Sequence, residues 1–183
     1  MDDFLILNLF VKSYKNYRLE YRNHLHCQIC KILTLNLMKN KELITVIYLK
    51  RNSLRVSDNV LFKKAEDLGL RTLVIFCFEP SIIYYHDSDI RHLRFINQSI
   101  KSINDKLKIY NSQVYVFLDE AVNIFERIQF FYHTKFVLSY EETSNNLTFK
   151  RDMQLKKYFK NKGISWLEFE NNGVIRGKKD KKN

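Results

Sequence analysis

From Met38 onward the sequence alternates between short apolar runs rich in β-branched residues and longer segments with helical periodicity, and few folds accept that order. The runs are LITVIYL (43–49), RTLVIFCFEP (71–80), SQVYVFL (112–118), KFVLSY (135–140) and ISWLEF (164–169). Continuous apolar runs of this length suit strands covered on both faces, as in a parallel sheet. Between them, SDNVLFKKAEDLGL offers Asp58 as a helix cap and Gly69 as a stop. Leu93, Ile96, Ile100, Ile103 and Leu107 recur at steps of three and four, the stripe of a long amphipathic helix. DEAVNIFERIQFFYH reads as a further helix, and NLTFKRDMQLKKYFKNKG as one stopping at Gly163. The expected fold is α/β: a five-stranded parallel, Rossmann-like sheet with helices on both faces, in three layers.

The length suits one such domain. Residues 1–37 show no steady period and are expected to be an extension of doubtful structure, compatible with a start codon assigned too early. They contain His24, His26, Cys27 and Cys30, ligand types that zinc uses. No second ligand pair follows downstream, so no metal site is assigned. The three cysteines form no disulfide framework, no secretory signal is evident, and no apolar run reaches membrane-spanning length. These features point to a cytoplasmic chain.

The net charge of +11 is unevenly spread. Residues 1–37 carry five Lys/Arg against three Asp/Glu, and residues 173–183 carry five against one, leaving the body at +5. That is a weak case for a dedicated nucleic-acid groove. A basic nucleic-acid-associated domain using residues 173–183 nevertheless stays open, as does a stand-alone α/β module for a small anionic or nucleotide-like ligand.

In a doubly wound sheet, ligands bind at the carboxyl ends of the strands, where the strand order reverses. The candidate binding residues are therefore Lys50, Arg51 and Asn52; Phe78 and Glu79; Asp119 and Glu120; and Glu141 and Glu142. Arg51 is able to hold an anion by bidentate hydrogen bonds. Arg55 and Asp58 read as structural, pinning the loop after the first strand. Glu141 and Glu142 are adjacent and point in different directions, so they need not share a proton; one of them accepting a ring N–H and a merely solvated loop both stay open. Arg151 and Asp152, one residue apart and not facing each other, would tie their helix to its neighbours. No GxGxxG or GxxxxGK[ST] motif is present, which argues against a standard dinucleotide or nucleoside-triphosphate site. His86, His92 and His133 are scattered, Cys77 reads as core, and no catalytic residue is assigned.

YLKRNSLRVSDNVLFKKA (48–65) resembles the opening signature of the DNA photolyase/cryptochrome family. Three blocks follow in the family's order: SDIRHLRFINQSIKSINDKL (88–107), EETSNNLTFKRDMQLKKYFKNKGISW (141–166) and EFENNGVIRGKKDKKN (168–183). Tyr48-Leu49 stands where the family usually has Trp-Phe, and Asn52 and Ser53 alter the basic loop. The resemblance implies an N-terminal antenna-type domain over 38–170, followed at 171–183 by the basic start of a truncated interdomain linker. It implies an antenna chromophore, a folate, deazaflavin or flavin, with FAD expected only alongside a missing FAD-binding domain. That domain and, in a full-length relative, DNA are the implied partners of an otherwise monomeric chain. Trp166 is the only tryptophan, so the chain cannot supply a relay of several. Light-driven repair or blue-light sensing would belong to the full-length relative, a deoxyribodipyrimidine photo-lyase or a cryptochrome, and not to this chain alone.

Overall fold

The computed structural model describes residues 41–171. The zinc-like His/Cys motif, the remainder of the 1–37 extension and the basic stretch after Asn171 lie outside them. Five strands form one parallel sheet: β1 (Leu43–Leu49), β2 (Arg71–Phe78), β3 (Val114–Leu118), β4 (His133–Tyr140) and β5 (Ser165–Phe169). Their order is β3-β2-β1-β4-β5, so the first of these five in sequence is central and the winding reverses between β1 and β4. The helices are α1 (Val60–Leu68), α2 (Pro80–Ile83), α3 (Ile90–Leu107), α4 (Ala121–Phe131) and α5 (Asn146–Lys162).

Alternate residues of β1 feed two cores. Ile44, Val46 and Tyr48 pack with Ile75, Val137 and the inner faces of α4 and α5, including Phe125, Leu155 and Phe159. Ile47 and Leu49 face the other way, against Leu61, Ile96, Ile100, Ile103 and Leu107 of α1 and α3. The expected stripe on α3 is thus the buried one. Helices cover both faces, as the apolar runs of the strands demand.

Both glycine stops are present: Gly69 and Gly163 close α1 and α5 with φ of 63° and 67°, in the left-handed region where a Cβ is costly. The start of α1 differs from expectation. Asn59, not Asp58, is the cap; its side chain accepts from Leu61 N at 3.1 Å while its amide donates to the carbonyls of Ser53 and Arg55. Asp58 instead sits at φ 53° and offers its carbonyl to Arg55 Nε at 3.2 Å. Asn59 is buried among carbonyls needing a donor, which an amide supplies and a carboxylate does not. Pro80 also does more than close β2, since it opens the one-turn α2 at a position where its missing N–H costs nothing.

Candidate functional site at the strand-order reversal

After β1 the chain turns sharply through a single 3-10 turn, Arg51–Ser53. Ser53 closes it from both sides: Lys50 N donates to Ser53 Oγ at 2.7 Å, and that hydroxyl donates to Lys50 O at 2.9 Å. The turn throws Arg51 outward and folds Lys50 inward. Lys50 Nζ lies 2.8 Å from Asp152 Oδ2 and 3.7 Å from Glu168 Oε1, with its side chain 1% exposed. Its ammonium also stands over the Trp166 ring, 5.2 Å from the centroid.

Arg151 holds the ends of several elements together. Its Nη1 donates to Glu79 Oε1 at 2.8 Å, its Nη2 to Glu142 Oε2 at 3.3 Å, and its Nε to the neighbouring Asp152 Oδ1 at 2.9 Å. Adjacent helical positions do not face each other, yet the long arginine side chain curls back far enough to meet Asp152, contrary to the sequence reading. Glu79 is also bonded by Tyr48 Oη–H and Ala121 N–H, each at 3.3 Å. The result is a buried, charge-alternating network joining the ends of β1, β2 and β4 to α5.

Burial dominates the acid-base behaviour of this network. It pushes the Glu79 carboxyl above its ordinary value, against the opposing pull of Arg151 and the Ala121 N–H. It pushes the Tyr48 phenol and the Cys77 thiol well up, so both stay protonated. It also works against the Arg151 charge, but the Glu79 and Asp152 carboxylates beside it outweigh that and keep the guanidinium ionised. Glu168, half removed from water, is likewise raised, with Lys50 pulling the other way.

Above this floor opens a cleft of about 300 Å³. Of the residues expected at the site, Lys50, Arg51, Asn52, Phe78, Glu79 and Glu142 all line it, together with Arg151. Phe78, Ile82, Ile83, Leu93 and Ile96 supply apolar wall, the isoleucines of α2 being a contribution that sequence reasoning missed. Asn52 donates its amide N–H to Glu141 O at 2.9 Å, while its Oδ1 is buried without a hydrogen-bond partner. Arg51 is exposed and engaged with no other described residue. Glu141 is not in the lining; its carboxylate is exposed, and its backbone joins Asn52 and Phe169.

The remaining candidates are committed to the frame. Asp119 accepts from Arg127 Nη2 at 2.7 Å and from Asn123 Nδ2 at 2.9 Å. Glu120 accepts from the backbone and hydroxyl of Ser81 at 2.9 and 2.8 Å. Arg55 donates to Asn171 Oδ1 at 2.8 Å, fastening the loop after β1 to the chain after β5. Among the described residues no group of His, Cys, Asp and Glu is placed to hold a metal ion. No helix among them is long and apolar enough to cross a membrane.

A doubly wound parallel sheet with a part-apolar, part-charged cleft at its reversal point defines a Rossmann-like α/β domain. The sequence narrows that class: the pattern of the DNA photolyase family matches residues 46–179, and the chain belongs to that family. Similar solved structures include an archaeal photolyase from Sulfolobus tokodaii with two FAD molecules, at TM-score 0.61 and 24% identity over 69% of this chain. A cryptochrome from Synechocystis sp. PCC6803 follows at 0.60 and 18% over 69%. A class III photolyase from Agrobacterium tumefaciens matches at 0.59 and 16% over 72%. At these identities the likeness shows the fold. The chain spans 29%, 27% and 26% of the lengths of those three proteins. No curated protein matches it.

Proposed function

We propose that this chain is the antenna-type domain of a photolyase- or cryptochrome-like protein, and that the cleft at the β1/β4 reversal receives the ring system of a light-absorbing chromophore. The observation that carries this reading is a cleft at the strand-order reversal that sets an apolar wall beside the exposed Arg51 guanidinium, which no other described residue engages; Asn52, in the same lining, keeps a buried Oδ1 with no hydrogen-bond partner among the described residues. A flat heteroaromatic ring packs against the apolar wall, and an anionic or carbonyl-rich side accepts from the guanidinium. The volume lies at the lower end of the roughly 300–1,000 Å³ usual for small-molecule sites, so a single ring system suits it better than an extended dinucleotide.

A flavin, deazaflavin or folate fits that description, and the Sulfolobus tokodaii relative, with its two FAD molecules and an implied light-harvesting cofactor, favours the flavin class. Catalytic FAD, DNA and the choice between repair and light sensing are assigned, on the same reading, to a second domain carried by longer relatives. The buried network beneath the cleft has no free acid or base for chemistry of its own; its part is to hold the strand ends in place.

The test is equilibrium binding of flavin, deazaflavin and folate to the full chain, followed by absorbance and fluorescence. One chromophore class is expected to bind at one per chain, with weaker binding in Arg51→Ala. The proposal fails if no class binds more tightly than ~100 μM, about −5.5 kcal/mol, or if Arg51→Ala leaves the affinity unchanged.

A further inference from the structure

The two sides of α5 have unrelated chemistry. Leu155 and Phe159 are fully buried, and Arg151 and Asp152 turn inward to the network beneath the cleft. The opposite arc carries Lys150, Lys156, Lys157 and Lys160, with Phe149 60% and Met153 52% exposed among them. At about 100° per residue these six positions share an arc of roughly 120°. No acidic residue lies on that arc, and none of the four lysines forms an ion pair among the described residues. Lys156 is felt by Glu168 on β5 without pairing with it.

Such a face is unfavourable in isolation. Lys156 and Lys160 stand at i,i+4 and Lys157 and Lys160 at i,i+3, where like charges oppose the helix. Only Lys160, in the last turn, gains from the helix dipole. A polyanion laid along the face would relieve the repulsion and cover the two apolar side chains. The rise from Lys150 to Lys160 is about 15 Å, a length over which one strand of duplex DNA presents about four phosphates, so one backbone laid along the face passes within reach of all four flexible lysines. Phe149 adds a ring on which a base can stack. An interfacial membrane helix requires a broad apolar face, and that of α5 is spent on the core.

We infer that the outward face of α5 is a docking surface for a nucleic-acid backbone, with Lys150, Lys156, Lys157 and Lys160 on its phosphates and Phe149 against a base. The inference does not depend on the chromophore reading, because the cleft is lined from the other side of the same helix.

The test is fluorescence anisotropy of a labelled thymidine oligonucleotide of about 20 residues with the full chain, between about 50 and 300 mM KCl. The variant replaces all four lysines by glutamine, which keeps helix propensity; circular dichroism and urea unfolding check that it is folded. Its plot of log affinity against log salt should be shallower by about 3, from roughly 0.7 per phosphate contact on a single strand. A control, Lys101→Gln with Lys106→Gln on α3, should keep the wild-type slope. Absence of oligonucleotide binding by the wild type overturns the inference, as does a quadruple variant that binds like wild type. So does binding abolished by removing residues 172–183 while the quadruple variant retains it, or binding to phosphatidylserine vesicles in place of the oligonucleotide.

Discussion

Replacing Arg151 with methionine removes the cation from a network in which Glu79, Glu142 and Arg151 have side chains only 2%, 8% and 11% exposed. At that burial a broken pair leaves an uncompensated charge, and the cost is about 3–5 kcal/mol rather than the small value of a surface pair. For a domain of this size that corresponds to a fall in Tm of about 10–20 °C. The sign of its pH dependence follows from Glu79. Burial already raises its folded pKa, so its contribution to stability is greatest at low pH and declines as pH rises through that value. Without Arg151 the value rises further, and the decline extends to higher pH. The deficit of the variant should therefore grow between about pH 5 and pH 8, by at most about 1.4 kcal/mol per unit. Urea unfolding followed by the fluorescence of Trp166, the only tryptophan, reads this directly. Adding Glu79→Gln keeps an acceptor for the Tyr48 hydroxyl, removes the stranded charge, and should recover about 1–2 kcal/mol. A loss below about 1 kcal/mol, or one equal at both pH values, would refute the claim that a buried charge network holds the strand ends.

Further outcomes follow from individual positions. Asn59→Ala should cost about 2 kcal/mol in urea unfolding, the upper end for a cap, because its amide also serves two carbonyls. Asp58→Gly should be neutral or stabilising by up to about 1 kcal/mol, since it relieves a positive φ; a loss larger than that would restore Asp58 as the cap. Gly163→Ala meets no atom within 4 Å, so its expected cost of about 1–2 kcal/mol is backbone strain alone. Arg51→Ala should leave stability within about 0.5 kcal/mol of wild type while weakening chromophore affinity roughly 10- to 100-fold, the worth of a charged hydrogen bond.

The sheet was legible because a strand buried on both faces leaves a continuous apolar run, and each of the five runs became a strand. Gly69 and Gly163 were legible because a left-handed helix end selects glycine. The α1 cap was misplaced by one residue because Asp and Asn are equivalent as local acceptors; what separates them is a set of carbonyls supplied by the preceding loop. The strand-end rule pointed to the sheet edge where the cleft opens and to six of its lining residues, Lys50, Arg51, Asn52, Phe78, Glu79 and Glu142. It did not reveal Arg151 as the hub, since its partners Glu79 and Glu142 lie on other elements and Lys50 reaches Asp152 across 102 positions of chain. Nor did it disclose that the fate of Asn52 Oδ1 differs from that of its amide nitrogen, a distinction made only by where Glu141 comes to rest.

Those long separations also set an order in time. β1 is the first of the five described strands to be synthesised, and its end supplies Tyr48, Lys50, Arg51 and Asn52 to the cleft. The guanidinium that fastens these pieces belongs to α5, about a hundred residues later, so at roughly 5–20 residues per second on the ribosome the first half of the site waits several seconds or longer for its clasp. Until α5 emerges, Glu79 lacks the Arg151 guanidinium, and the pocket is a late product of folding built around the first of the five described strands.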